Sequence, residues 1–401
     1  VLGIIAAETV LFPGERGFPA SGPLHAERQV LSWRTALRCR PGCKLRQESL
    51  EMGGKFRLEP FAFVTRQTML GRVFSGMALV ALGLAGGTSA AFGQEPATAK
   101  RFDWAKPIPA ASGAAFDQKL AFDALGAVCD LGTRVSGSEG MRTQQKLITE
   151  YFRGLDAEVS NQLFQVRHPL DGSAVTMNNL CVRWHPDRKK RVLICCHYDT
   201  RPFPDRDPVN PRGVFLGAND GASGVGLLAE LGRHLAGMDG KWGVDFVFFD
   251  GEELVYVAGR DPMFLGSQYF AQQYAGKNWD VKYQYGVLID MIADKDLQIY
   301  YEKNSMKSAA RVCRSIWGVA KELGVKEFIP EEKHQIRDDH LPLNEIARIP
   351  TCDIIDFDYP NPERPNEYWH TLQDRPENCS AESLGKVGAV LLEWLRQLQK
   401  L

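Results

Sequence analysis

The chain has 401 residues, of which 44% are hydrophobic, 24% charged and 10% aromatic, a balance that excludes a wholly disordered, collagen-like or membrane-embedded protein. Its 48 Lys and Arg residues against 49 Asp and Glu residues give a formal net charge of −1, so no global basic field exists to hold nucleic acid. We therefore expect no nucleic-acid partner. The length allows one large domain or two to three small ones.

The first hundred residues differ in pattern from the rest of the chain. Residues 1–68 show no sustained helix or strand period and are interpreted as a doubtful, disordered N-terminal extension. Residues 69–93 have the layout of a secretory signal peptide, with arginines around Met69, an apolar run over 73–85 and small residues after it. The alternative is a disordered leader with an uncleaved anchor. We expect an exported protein, periplasmic or secreted, whose mature form has no stable membrane span.

Beyond the signal peptide, residues 94–115 are rich in Pro and Ala and are predicted to form an extended arm. A single domain is then expected over 116–401. Its patterns predict helices over 116–131, 138–155, 221–236, 305–323 and 381–399, and strands over 158–166, 178–184, 191–197, 244–250, 286–291 and 352–357. Several of these strands are continuous apolar runs, which is typical of strands buried on both faces. The alternation predicts an α/β fold with a central mixed, mostly parallel sheet flanked by helices on both faces.

Ionisable residues recur at or near the ends of the predicted strands: His197, Asp220, Glu252, Glu253, Asp290 and His370. Taken singly, each has an ordinary explanation, such as a helix cap for Asp220, a solvated turn for the glutamates or a core histidine for His370. Ligand sites in open α/β sheets collect at the carboxyl ends of strands, however, and buried unpaired carboxylates are costly. Together these nitrogen and oxygen donors favour a catalytic Zn²⁺ site.

Five segments resemble motifs of the M28 zinc aminopeptidase superfamily and, more narrowly, of its glutaminyl-peptide cyclotransferase (glutaminyl cyclase) branch, in a bacterial form. They are CCHYDTRPFPD, LGANDGASGVGLLAELGR, FVFFDGEE, LIDM and YWHTLQD. The resemblance covers about residues 115–400, so that 116–401 is expected to be an M28-type catalytic domain. It implies the α/β fold of the zinc aminopeptidases, which is phosphorylase/hydrolase-like.

The resemblance also implies roles for individual residues. Two-zinc aminopeptidases use all five metal positions, here His197, Asp220, Glu253, Asp290 and His370, and Asp220 bridges the two ions. Cyclases keep one zinc, at the positions of Asp220, Glu253 and His370. His197 and Asp290 are therefore candidates for a second zinc only in an aminopeptidase.

The remaining catalytic positions are also implied by the resemblance. Glu252 falls on the general acid/base of both groups. In cyclases the Asp290 position is an acidic hydrogen-bonding partner, and Asp338 joins the same network. Trp369 is expected either to wall the substrate pocket or simply to pack beside His370.

Three features favour the cyclase branch: the tryptophan before His370, the segment RDDHLP over 337–342, and the long segment from Glu253 to Ser267. Two departures are Ala258 and Asp353, where animal cyclases have tryptophan and histidine. The prediction is a zinc-dependent glutaminyl-peptide cyclotransferase that acts on a peptide or protein with a free N-terminus. The alternatives are an M28 zinc aminopeptidase and, as a different class, a non-catalytic binding ectodomain.

Overall fold

The structure is a computed structural model that describes residues 102–106, 108–276, 279 and 281–401. The predicted extension, the signal peptide and residues 94–101 of the arm lie outside the described residues. The main sheet has six strands: β1 (Glu158–Arg167), β2 (Ala174–Trp184), β3 (Lys190–His197), β4 (Gly243–Phe249), β5 (Lys282–Asp290) and, near the C-terminus, β8 (Thr351–Ile355). Two short strands, β6 (Ile299–Tyr301) and β7 (Phe328–Glu332), pair separately.

The main sheet is mixed, in the spatial order β1-β2-β4-β3-β5-β8. Strands β1, β2 and β4 pair in antiparallel fashion, whereas β4, β3, β5 and β8 pair in parallel. Strand β4 is buried along its whole length and β3 is buried beyond its first residue, which explains why both are continuous apolar runs. Three parallel strands, β3, β4 and β5, therefore end side by side at one edge of the sheet.

Helices cover both faces of this sheet: α1 (Gln118–Cys129), α2 (Glu139–Arg153), α3 (Ala222–Gly232), α4 (Leu265–Gly276), α5 (Lys303–Leu323), α6 (His340–Glu345) and α7 (Ala381–Gln399). Successive side chains of β3 point to opposite faces of the sheet, so they show which core lies on each face. Ile194 and Cys196 belong to the large core shared with α1, α2, α3, α5 and α7, and Leu193 and Cys195 belong to a second core with α4 and α6. The predicted fold class is confirmed.

The predicted elements are all present, with shifted ends. The helix predicted over 221–236 ends at Gly232, and β2 begins at Ala174 rather than 178. Elements α4, α6, β6 and β7 had not been predicted. In the described part of the arm no helix or strand forms, but Phe102 and Trp104 are buried against Tyr151. Among the described helices, none combines the length and apolar character needed to cross a membrane.

Candidate active site

The candidate site residues converge on the carboxyl edge of the parallel strands. His197 is the last residue of β3, Asp290 is the last residue of β5, and Glu252 and Glu253 follow β4 after a short turn. Asp220 lies two residues before α3, and His370 comes from a loop between β8 and α7. Residues separated by up to 173 positions thus meet at one edge, as predicted for an open α/β sheet.

One group of possible ligands consists of Asp220, Glu253 and His370, whose ligand atoms lie within 4.8 Å of one another. Nε2 of His370 lies 3.4 Å from Oδ2 of Asp220 and 3.3 Å from Oε1 of Glu253. All three side chains are buried, yet Nε2 of His370 and Oδ2 of Asp220 have no hydrogen-bond partner in the protein. Buried polar atoms are normally paired, so these atoms point to a ligand between them.

A second group shares Asp220 with the first and adds His197 and Asp290. Nε2 of His197 lies 3.1 Å from Oδ1 of Asp220 and 3.3 Å from Oδ1 of Asp290. Asp220 therefore presents one carboxylate oxygen to each group. The structure brings together all five residues that the sequence marked as metal positions, and Asp220 is common to both groups.

The electrostatics of the first group keep its carboxylates ionised. Burial alone would raise the pKa of Glu253, but the charges of His370 and Arg201 outweigh it and hold this pKa well below its usual range. Burial is likewise outweighed at Asp220, whose pKa is lowered by the adjacent imidazoles of His197 and His370. At His370 burial acts to lower the pKa, but Glu253, Asp205 and Asp220 raise it to about 10. Two ionised carboxylates thus converge on the His370 imidazole, and a metal cation bound there would take the place of one of its protons.

The donor set fits zinc. Catalytic zinc sites use three protein ligands drawn from His, Asp, Glu and Cys and leave a position open for water or substrate. Asp220, Glu253 and His370 supply one nitrogen and two carboxylate oxygens, and the unpartnered atoms of this group face each other. His197 and Asp290, with Asp220, would supply an equivalent set for a second ion.

Buried acidic residues support the backbone of the site. Asp199 accepts hydrogen bonds from the backbone N–H groups of Glu252 at 3.2 Å and Glu253 at 3.0 Å. Asp374 accepts from the backbone N–H groups of Asn219 at 2.7 Å and Asp220 at 3.1 Å. Both carboxylates are buried and lie within the motifs that marked the site, although the sequence had not indicated these contacts.

The three residues predicted as catalytic acids are buried and have raised pKa values. Burial, followed by the charge of Glu253, raises the pKa of Glu252 well above its usual range. Burial also raises the pKa of Asp290, and burial together with the charge of Asp290 raises that of Asp338. Such environments favour the protonated form of a carboxyl more than water does, which is the direction of pKa shift that general acid/base chemistry uses.

Trp369 stands beside the first ligand group. Its ring centroid lies 4.0 Å from that of His370 and 5.1 Å from that of Phe357. The guanidinium of Arg206 lies over the tryptophan ring, 4.7 Å from its centroid. The ring is half-buried, so it both packs against the histidine and offers apolar surface at the edge of the site.

Two features of the region were missed from the sequence. Arg201 and Asp205 contact Glu253 and His370, although the motif CCHYDTRPFPD had contained both without assigning them a role. A separate buried group joins Glu302, His340 and Asp353, with the imidazole between the two carboxylates at 3.2 and 3.4 Å. The only signal for this group in the sequence was Asp353, which had been noted as a departure from the animal cyclases.

Comparison with known proteins places these residues in a family context. The model of Peptidase family M28 matches residues 179–395, which is more than half of the chain. The crystal structure of Fimbriiglobus ruber glutaminyl cyclase is similar with a TM-score of 0.67 and 38% identity, over 73% of this chain and 99% of that one. A Zn-dependent exopeptidase from Parabacteroides distasonis is similar with a TM-score of 0.65 and 30% identity, over 70% of this chain and 98% of that one.

A curated relative gives the same indication at lower identity. The glutaminyl-peptide cyclotransferase of the snake Bothrops jararaca is 25% identical over 291 residues, which cover 64% of this chain and 75% of that protein. The similarity thus extends to bacterial and animal cyclases and to a zinc exopeptidase.

Proposed function

The chain belongs to Peptidase family M28, and we propose that it is a zinc-dependent glutaminyl-peptide cyclotransferase. It is an enzyme of the cyclotransferase or peptidase type. The proposed reaction converts the N-terminal glutamine of a peptide or protein to pyroglutamate and releases ammonia. The observation that carries the proposal is the similarity to F. ruber glutaminyl cyclase along nearly all of that enzyme, at 38% identity.

The reaction requires the α-amine of the glutamine to attack the carbon of its own side-chain amide. A C–N bond forms within the new ring, the bond to the amide nitrogen breaks, and that nitrogen leaves as ammonia. One proton must move from the attacking nitrogen to the leaving nitrogen. We assign this transfer to Glu252, and its burial and raised pKa beside the proposed metal ligand Glu253 support the assignment.

Asp220, Glu253 and His370 would hold the zinc. When bound, zinc supplies a Lewis acid that polarises the amide carbonyl oxygen. Asp290 and Asp338 are two buried acids whose pKa values are both raised, and they share a proton in the proposed enzyme since two like charges in one buried site are costly. Their free carboxyl oxygens would accept hydrogen bonds from the polar groups of the substrate, and Trp369 would contact its apolar part.

A second candidate function is hydrolysis by an M28 aminopeptidase. The observation that favours it is the second ligand group, because His197, Asp220 and Asp290 retain the donors for another zinc. In that reaction Glu252 would activate water, and the product would be a free amino acid rather than pyroglutamate. Both functions require a free N-terminus on the substrate.

Export belongs to the same proposal. It is supported by the tripartite pattern of residues 69–93, which lie outside the described part of the structure. N-terminal sequencing of the mature protein tests it. A start shortly after residue 91 agrees with export, and a start near Val1 contradicts it.

Product analysis distinguishes the two chemistries. Zinc-loaded protein is incubated with a peptide that begins with glutamine and with a matched peptide that begins with leucine, and the products are identified by mass spectrometry. A cyclotransferase removes the mass of ammonia from the first peptide and leaves the second intact. Shortened peptides and free amino acids, without pyroglutamate, would replace the proposal with the aminopeptidase alternative.

A further inference from the structure

The loop of residues 201–207, which follows β3 and is called here the 201–207 loop, contacts two of the three proposed zinc ligands. It carries Arg201 at one end and Asp205, Arg206 and Asp207 at the other. Nothing in the proposed reaction uses these side chains. Their contacts are nevertheless directed at the atoms of Glu253 and His370 that do not face the proposed metal.

Arg201 fixes the orientation of the Glu253 carboxylate. Its side chain is only 4% exposed, and Nη1 donates a hydrogen bond to Oε2 of Glu253 at 2.6 Å. The other oxygen, Oε1, is the one that lies 3.3 Å from Nε2 of His370. The guanidinium therefore occupies one carboxylate oxygen and leaves the other for a metal ion. Its rigid planar fork restricts rotation of the carboxylate more than a lysine would.

Asp205 is the partner of both Arg201 and His370. It accepts hydrogen bonds from Nε of Arg201 at 2.8 Å and from Nη2 at 3.2 Å. Its Oδ1 also lies 3.5 Å from Nδ1 of His370. A carboxylate beside Nδ1 favours the proton on that nitrogen, so the lone pair of Nε2 is directed at the first ligand group.

The backbone of the loop holds the ligand histidine as well. His370 has a φ of 58°, in the left-handed region that non-glycine residues adopt only when surrounding contacts support it. The N–H of Arg206 donates to the carbonyl of His370 at 3.1 Å, and Oδ2 of Asp207 accepts from the N–H of Leu372 at 2.9 Å. The 201–207 loop thus stabilises the strained turn at the ligand and at the two residues that follow it.

The second ligand group is supported less closely than the first. Nδ1 of His197 has no hydrogen-bond partner in the protein, and the nearest carboxylate oxygen paired with it, Oδ1 of Asp199, lies 3.8 Å away. Asp199 is already engaged by the backbone N–H groups of Glu252 and Glu253. The two groups offer similar donors, so what distinguishes the first is the support of its ligands.

We propose that Arg201 and Asp205 are positioning residues for the metal at Asp220, Glu253 and His370. Asp205 keeps the proton of His370 on Nδ1, and Arg201 holds Glu253 so that Oε1 faces the other two residues. The inference rests on the proposed function only in placing zinc at these three residues. It adds that the affinity for zinc is set by two side chains that do not touch the ion.

The test is a zinc titration of the full chain, freed of metal, in competition with a chromophoric chelator. Arg201→Gln and Asp205→Ala are expected to weaken Zn²⁺ binding about 10- to 100-fold, the usual effect of removing partners of metal ligands. Arg201→Lys keeps the positive charge but loses the planar guanidinium, so its affinity for Zn²⁺ is expected to lie between those of these variants and the wild type. Arg183→Gln is the matched control, because Arg183 also pairs with a buried carboxylate, Asp245, but touches no proposed ligand.

A spectroscopic measurement separates positioning from a merely structural role. Co²⁺ replaces zinc, and its visible absorption reports the ligand geometry in the wild type, Asp205→Ala and Arg183→Gln. The Asp205 variant is expected to change the spectrum and the control to leave it unchanged. Asp205 is 31% exposed, so this variant carries the test even if Arg201→Gln does not fold.

The outcomes distinguish this inference from the proposed function. Zinc affinities within twofold of the wild type in both Arg201→Gln and Asp205→Ala, with unchanged Co²⁺ spectra, would overturn the inference and leave the proposed function standing. A wild-type chain that binds no zinc would instead contradict the proposed function. Weaker binding in these variants, with Arg183→Gln unaffected, supports the inference.

Discussion

Arg134 is predicted to be a main support of the loop that carries Asp220. Its guanidinium is fully buried and donates to the carbonyls of Gly132 at 3.0 Å, Leu216 at 2.7 Å and Gly217 at 3.1 Å. Hydrogen bonds from charged groups contribute about 1.5–3 kcal/mol each. The low end of this range applies because Gly132 and Leu216 are only half-buried, so that water can hydrate their carbonyls when the guanidinium is removed. Arg134→Met should therefore lower the free energy of unfolding by about 4–5 kcal/mol.

Urea denaturation of the metal-free protein measures this change, with the m-value checked for constancy. Arg142→Met is the control. Arg142 also donates to a carbonyl, that of Gly137, and pairs with Glu139, but it is exposed and should cost no more than about 1 kcal/mol. If Arg134→Met unfolds within 1 kcal/mol of the wild type, the buried guanidinium does not support the loop and the reasoning fails.

Three further predictions concern the acid/base, the pH dependence of stability and helix packing. Glu252→Gln should reduce turnover at least about 100-fold while zinc binding stays unchanged, and retained turnover would remove Glu252 as the acid/base. Burial raises the pKa of Asp294 from 3.8 to about 7, so the folded state binds a proton that the unfolded state has lost between these values. The free energy of unfolding therefore falls as pH rises from about 4 to about 7, and Asp294→Asn should remove up to about 4 kcal/mol of that fall; an identical pH profile would contradict this. Gly224→Ala places a methyl group 2.6 Å from Cβ of Cys196 and should cost about 1–3 kcal/mol in urea denaturation, whereas Gly318→Ala, which meets nothing within 4 Å, should be neutral or stabilising; equal effects would refute the packing argument.

Much of the fold could be predicted because buried strands and capped helices have local signatures. Strands β3 and β4 are short, mostly apolar runs between turn residues, a pattern that predicts buried strands. Helix α2 begins where Ser138 caps it, and the serine side chain accepts from the N–H of Met141. The missed elements lack such signals: α6 has six residues with a proline among them, and β6 has only three.

The meeting of the candidate ligands at one place could be predicted, and the reason is topological. Parallel strands deliver their last residues to one edge, so ligand-type residues after β3, β4 and β5 had to be neighbours. The supporting contacts could not be predicted in the same way. Arg201 and Glu253 are 52 positions apart, and only the folded loop shows that the arginine reaches this glutamate rather than solvent.

Ammonia release as a function of zinc tests the central claim most directly. Metal-free protein is given a peptide that begins with glutamine, zinc is added in increments, and both ammonia and free amino acid are quantified. The proposed function predicts no ammonia without zinc, a rate that reaches its plateau at one zinc per chain, and no free amino acid. Release of free amino acid without ammonia, at any zinc concentration, would contradict it.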